Sequence, residues 1–242
     1  MRRRVLVTRP EPAAAATARR LAALGFEPIL LPLTQTRPLP VAVGELLESR
    51  IGGEAEAVAV TSANGVRHAS PELVAALAHL PCYAVGQKTA RAAMAAGFAA
   101  IHEGPGDAEG LAAVMATEFS GRTIVYLCGR VRLAGFEQAL AVAGVGVFPV
   151  ETYDTLAVEY GDDAVAARFG GRRVDAVLLY SAKAAGIAHE LANRPALAHL
   201  FRDATFLCLS RRVASAFPSV DEERIRISLE PNEEALLGLL PA

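Results

Sequence analysis

The sequence predicts an α/β protein whose parallel strands are covered by helices on both faces. Two observations carry this. Short runs of Val, Ile, Leu and Ala recur along the 242 residues. They are near-continuously apolar rather than alternating, as strands buried on both faces are. Between them lie Ala-rich stretches of helical length, and strand–helix alternation is what parallel crossovers require. Arg4–Val7 reads as the first strand. Ala13–Leu24 reads as a helix stopped by Gly25, a residue suited to the left-handed position past a helix end. Pro28–Leu31, Ala55–Val60, Cys82–Val85, Thr123–Leu127, Gly146–Val150, Val174–Tyr180 and Thr205–Leu209 are the remaining strands. Ala63–Leu80, Thr89–Ala96, Ala108–Phe119, Leu133–Ala143, Ala182–Leu191, Arg212–Phe217 and Glu233–Leu240 are the remaining helices.

Two segments break the alternation. Leu33–Pro40 is flanked by proline, polar and extended in character, and Val150–Val158 is similar. A pair of linkers means that the chain leaves a domain and returns to it. One doubly wound sheet and two smaller sheets are both compatible with this pattern.

Composition narrows the class. A hydrophobic content of 52 % and a mean hydropathy of +0.31 exclude a disordered chain. No apolar run reaches the roughly 18 residues a membrane span needs. The basic start, Met1-Arg2-Arg3-Arg4, is followed by an apolar run too short for a signal peptide. It reads as a solvated lead-in to a strand, and a cytoplasmic location is expected. Cys82, Cys128 and Cys208 are far apart and lie in or beside apolar runs, so buried thiols are expected rather than disulfides or a metal site. The five His show no metal-ligand spacing. The net charge of −2 gives no pull toward nucleic acid.

In open parallel sheets, ligands sit at the carboxyl ends of the strands, beside helix N-termini. The turns there are Thr8-Arg9-Pro10, Thr61-Ser62-Ala63-Asn64-Gly65, Gly86-Gln87-Lys88-Thr89, Cys128-Gly129-Arg130-Val131-Arg132, Ser181-Ala182-Lys183 and Ser210-Arg211-Arg212. Five of the six contain Ser or Thr, and five contain a basic residue. Any one of these turns is explained by a capping hydroxyl and a solvated cation. Cations at helix N-termini oppose the helix dipole, however, at about 0.3–1 kcal/mol each. Several turns accepting that cost together point to a shared anionic ligand, held by backbone N–H groups and Arg or Lys. GxGxxG after the first strand, GxxxxGK[ST] and GxSxG are all absent, which removes the standard dinucleotide, triphosphate and hydrolase readings.

Taken in order, the elements resemble the uroporphyrinogen-III synthase family. They are Val5-Leu6-Val7-Thr8-Arg9-Pro10, Leu24-Gly25, Val60-Thr61-Ser62-Ala63-Asn64-Gly65-Val66, Ala84-Val85-Gly86-Gln87-Lys88-Thr89-Ala90, Gly129-Arg130, Gly144, Tyr153-Asp154-Thr155, Ser181 and Cys208-Leu209-Ser210. The likeness runs over essentially the whole chain. It implies two doubly wound parallel-sheet domains joined by a two-stranded connector. One would be discontinuous, residues 1–33 and 157–242, and the other residues 40–149, with connector strands 34–39 and 150–156 and the active site in a cleft between them.

The resemblance also implies a lyase that converts hydroxymethylbilane, a linear tetrapyrrole with eight carboxylates, to uroporphyrinogen III with inversion of the terminal ring. No cofactor and no metal are implied. Tyr153 is the implied catalytic residue, since a phenol with a pKa near 10 stays protonated and can assist a leaving hydroxyl. Tyr153 packing the connector is the structural alternative. Thr8, Arg9, Ser62, Ala63, Gly86, Lys88, Thr89, Gly129, Arg130, Ser181, Ser210 and Arg211 are the expected substrate-binding residues. Capping explains the hydroxyls equally well, and an internal carboxylate explains Arg9. Arg211-Arg212 departs from the hydroxyl residues common after Ser210 in relatives. The expected partner is the small-molecule substrate, without nucleic acid or membrane. A monomer in transient contact with the preceding pathway enzyme is the expected state. A non-catalytic binding protein for an anionic tetrapyrrole or other polycarboxylate is the competing reading.

Overall fold

The structure is a computed structural model that describes residues 2–48, 54–132, 134–217 and 222–240. In chain order its elements are β1 (Arg4–Val7), α1 (Ala13–Ala23), β2 (Glu27–Leu30), β3 (Thr34–Pro38), α2 (Val43–Glu48), β4 (Ala55–Val60), α3 (Ala63–Arg67), α4 (Pro71–Leu77), β5 (Cys82–Ala84), α5 (Gln87–Ala96), β6 (Ile101–Glu103), α6 (Ala108–Glu118) and β7 (Thr123–Gly129). They continue with α7 (Gly135–Val142), β8 (Gly146–Ala157), α8 (Asp162–Phe169), β9 (Ala176–Leu179), α9 (Ala182–Asn193), β10 (Thr205–Cys208), α10 (Arg211–Ala214), β11 (Ile225–Ile227) and α11 (Glu233–Leu237). Single 3₁₀ turns at Ala198–Leu200 and Glu222–Arg224 complete them. The chain divides into one unit of Met1–Gln35 with Leu156–Ala242 and a second of Thr36–Thr155.

The first unit holds a five-stranded sheet in the order β11-β10-β9-β1-β2, with every neighbouring pair parallel. Side chains alternate across a strand, and both faces are apolar. Leu6, Val177, Leu179, Phe206 and Cys208 join one core with Phe169, Leu191 and Phe201. Val5, Val7, Ala176, Leu178 and Leu207 join another with Leu21, Leu236 and Leu237. The second unit repeats the plan in the order β3-β8-β7-β4-β5-β6. Val58, Val60, Val125 and Leu127 face Leu73, Val74 and Phe98. Ala57, Ala59, Ile124 and Tyr126 face Leu111, Met115 and Leu140. One edge of this sheet is antiparallel, along the segments expected as connector strands. Leu39 N–H donates to the Thr152 carbonyl at 2.8 Å and Val158 N–H to the Leu33 carbonyl at 3.0 Å, so β3 and β8 run antiparallel.

Local chemistry sets the element ends. Gly25 ends α1 at φ +89, while Phe26 N–H donates to the Leu21 carbonyl at 3.0 Å. The single helix expected over Ala63–Leu80 is two helices, because Ser70 caps Leu73 N–H at 3.2 Å and Pro71 takes the first position of α4. Leu133, expected to open a helix, lies outside the described residues, and α7 begins at Gly135. The segments α2, α8, β6 and β11 were not expected. All three cysteines are buried, and burial pushes each thiol up to about 12.

Two ion-pair clusters tie sequence-distant parts of the first unit together. Arg4 is not a solvated lead-in: it is 7 % exposed. It pairs with Glu27 at 3.1 Å and donates to the carbonyls of Phe169, Arg172 and Arg173 at 2.7, 2.7 and 2.8 Å. Glu233, at the start of α11, accepts from Arg9 at 2.9 Å, Arg20 at 2.8 Å, Tyr180 at 3.0 Å and, most closely, Thr17. Burial alone would raise its carboxyl pKa. The Thr17 and Tyr180 hydrogen bonds, the Arg9 charge and the Arg20 hydrogen bond outweigh that, and the group is held below 4.5. A carboxyl lowered on folding stabilises fully above its unfolded value, and that contribution is lost as pH falls through the folded one. Glu233→Gln should therefore cost about 1–3 kcal/mol at pH 7 and flatten the stability decline below pH 4.5, read by denaturant titration across pH.

Candidate active site

In each sheet the strand-to-helix turns lie at the carboxyl edge of the parallel strands. In the second unit the central feature is a register change. Along β7 and β8, Cys128 pairs with Glu151 but Gly129 pairs with Tyr153, so Thr152 is the extra residue of a β-bulge. Bulges re-aim the side chains beside them. Here Thr152 turns fully inward, and its hydroxyl donates to the Gly65 carbonyl at 2.7 Å. Tyr153 is placed against Gly129, and the two backbones are joined by Arg130 N–H to the Tyr153 carbonyl at 2.9 Å.

The ring lies on the glycine itself. A Cβ at Gly129 would stand 2.7 Å from Tyr153 Cζ, 2.8 Å from Cε2 and 2.9 Å from the hydroxyl oxygen. Only glycine admits the ring there. The Tyr153 hydroxyl bonds no protein group among the described residues, and no described buried polar side-chain atom lacks a partner, so this hydroxyl faces solvent. His68, at the end of α3, has its ring centroid 5.9 Å from that of Tyr153.

The β4–α3 turn is built in beside it. Ser62 Oγ accepts Asn64 N–H at 3.3 Å, and Thr61 Oγ1 lies 2.6 Å from the Tyr126 hydroxyl. Burial pushes that phenol up to about 12. Ala63 is buried at the first position of α3. At the next turn Gly86 is fully extended and has no capping side chain; its carbonyl accepts Thr89 N–H at 2.9 Å, and Thr89 is buried. A Cβ at Gly86 would meet Gly106 Cα at 3.2 Å, so this turn packs on the Gly104-Pro105-Gly106 loop. Lys88 follows on α5, exposed.

Arg130 carries its own carboxylates, Glu151 at 3.2 Å and Asp154 at 3.5 Å, with its side chain 55 % exposed. Arg132 closes the network through Glu151 at 3.1 Å and Glu137 at 2.8 Å. Burial alone would raise Glu151, but its bonds from Arg130 and Arg132 prevail and hold it low.

In the first unit the expected residues divide. The Thr8 hydroxyl is buried and donates to the Leu178 carbonyl at 2.6 Å, so it serves the sheet rather than a ligand. Arg9 stacks 4.2 Å over Tyr180 and pairs with Glu233, the internal carboxylate weighed against a cleft role. Ser181 caps α9 through Ala184 N–H at 3.2 Å. Ser210 differs: it stands at the cap position of α10 with its hydroxyl unused as a cap. With Arg211, which is exposed, it lines a cavity of about 400 Å³ with Leu209, Ile227, Ser228, Leu229 and Pro231. The partners of Arg9 and Arg130, and the Thr152 bulge, escaped sequence reasoning, because each depends on residues far away in the chain.

Parallel sheets with hydroxyl- and glycine-bearing turns at their carboxyl edges, and a phenol laid on a strand-end glycine, define an α/β protein of the class whose sites lie at the carboxyl ends of its strands. The model of the family described as uroporphyrinogen-III synthase HemD matches residues 15–238. The chain belongs to the uroporphyrinogen-III synthase family, enzymes of heme biosynthesis. Its fold is similar to that of the uroporphyrinogen-III synthetase of Helicobacter pylori, with a TM-score of 0.65 and 17 % identity over 99 % of this chain and 98 % of that one. It is also similar to a mutant uroporphyrinogen III synthase of Thermus thermophilus, with a TM-score of 0.58 and 21 % identity over 98 % and 96 %. No curated relative matches the chain in sequence. No helix among the described residues is long and apolar enough to cross a membrane.

Proposed function

We propose that Tyr153 assists departure of the terminal hydroxyl of hydroxymethylbilane. The observation that carries this is the solvent-facing phenol hydroxyl of a ring fixed on Gly129. The phenol donates to the leaving oxygen, which departs as water and leaves a protonated azafulvene cation. The last pyrrole attacks through its substituted carbon, giving a spiro intermediate, and fragmentation and reclosure then invert that ring. The proton lost as the pyrrole regains aromaticity returns to the phenolate, so the reaction yields the macrocycle and one water. Much of the remaining work is proximity, since the bilane must be folded until its ends meet.

The substrate carboxylates are assigned to Ser62, Ala63, Gly86, Lys88 and Thr89 in the second unit and to Ser181, Ser210 and Arg211 in the first. The Ser210 hydroxyl, which makes no cap bond, beside Arg211 supports the last pair. Arg9 and Arg130 act by exchange: a substrate carboxylate competes with Glu233 for the first and with Glu151 and Asp154 for the second. The domain reading, 1–33 with 157–242 and 40–149, is supported by division of the chain after Gln35 and after Thr155. A cytoplasmic monomer that receives hydroxymethylbilane from the preceding enzyme accords with this chemistry.

Tyr153→Phe tests the proposal. Loss of a positioned proton donor costs about 10²–10⁴-fold, so kcat should fall at least 100-fold while KM stays within a few-fold. An unchanged kcat would remove Tyr153 from the mechanism.

A further inference from the structure

Gly129 and His68 are, among the described residues, neighbours that bear on the Tyr153 ring. The missing Cβ of Gly129 gives the ring its seat. His68 stands with ring centroids 5.9 Å apart and planes inclined by 39°. A ring resting on backbone alone is restrained on that side only. Its hydroxyl makes no protein hydrogen bond among the described residues, so no polar contact fixes its χ angles. His68 itself is well anchored. Its backbone N–H donates to the Asn64 carbonyl at 3.1 Å, and α3, which it terminates, is held to the bulge by the Thr152–Gly65 bond of 2.7 Å. Bulge, helix and imidazole thus form one assembly around the phenol.

We propose that His68 is a positioning residue for Tyr153, its imidazole ring packing against the phenol and holding the hydroxyl in the orientation that meets the leaving group. This rests on the assignment of Tyr153 above. Burial, then the neighbouring Arg67, lowers the imidazole from its ordinary 6.5, so it presents a neutral ring at pH 7. Arg67 is exposed and belongs to the same helix; the group facing His68 from β8 is Tyr153 itself. A neutral aromatic pair in tilted contact is favourable by its ring electrostatics and needs no shared proton. The contact therefore belongs to the ring, not to an imidazole nitrogen.

A double-mutant cycle tests this. His68→Ala should lower kcat about 5–10-fold, with KM and melting temperature near wild type, and His68→Phe should restore most of the rate. In a Tyr153→Phe background, which lacks the hydroxyl being aimed, His68→Ala should change the residual rate less than 2-fold. Three results would overturn the proposal: a wild-type kcat in His68→Ala, a His68→Phe as slow as His68→Ala, or the full loss repeated in the Tyr153→Phe background. Should Tyr153→Phe itself keep the wild-type rate, the tyrosine assignment falls first, and a slow His68→Ala would then report some other role.

Discussion

Gly129→Ala should abolish most of the activity while leaving the fold standing. The added methyl group would lie 2.7–2.9 Å from two ring carbons and the hydroxyl oxygen of Tyr153, closer than such atoms approach without displacement. Gly129 ends β7 and is paired with Tyr153 in the sheet, so the backbone has little freedom to retreat. The half-buried ring gives way instead, toward solvent. A displacement near 1 Å at a reacting group costs about 10²-fold, so kcat should fall at least that far, with melting within a few degrees of wild type. A variant that kept its rate would show that the seat of the ring on Gly129 has no bearing on turnover.

Gly65→Val should instead break the second unit. Its Cβ would come 2.6 Å from the Leu127 carbonyl oxygen and 3.2 Å from the carbonyl carbon, both backbone atoms of a central strand. Neither can move without disturbing β4 or β8. Lifting α3 away would also take the Gly65 carbonyl from the Thr152 hydroxyl, which is fully buried. Overpacking costs about 1–3 kcal/mol, and loss of the short Thr152–Gly65 bond, which leaves the hydroxyl only the Cys128 carbonyl at 3.4 Å, adds about 0.5–1.5. A loss of roughly 10 °C in melting temperature follows. Calorimetry would check it, and a wild-type transition would mean that α3 is not docked through Gly65.

The contrast between these glycines marks what was legible in the sequence. The central strands announce themselves as apolar runs, since β1, β4, β7, β9 and β10 are buried on both faces. The strands β6 and β11 are three residues long, lie at sheet edges and are largely exposed, so they leave no hydrophobic signal. The helix α8 buries only Val165 and Phe169, too few for its period to show. The extended character of Leu33–Pro40 and Val150–Val158 was visible, but not that β3 and β8 would pair antiparallel.

Within the site, residue identities were legible and their partnerships were not. Arg9 and Glu233 are 224 positions apart. Nothing local reveals that the Arg9 cation is already met by a carboxylate. Thr8 has the residue type and placement of a ligand-binding hydroxyl, yet the neighbouring strand claims it through the Leu178 carbonyl. Tyr153 and Gly129 could each be singled out by family resemblance. Their contact depends on the one-residue shift at Thr152, a property of strand register between segments distant in sequence.

Ring closure with inversion leaves its record in the isomer that the protein makes. Hydroxymethylbilane generated in situ would be converted with and without the protein, and the oxidised products separated into type I and type III by chromatography. Type III as the main product, in proportion to added protein and lost with Tyr153→Phe, is the predicted result. Type I alone at every protein concentration would contradict closure with inversion and leave a binding protein for anionic tetrapyrroles in its place.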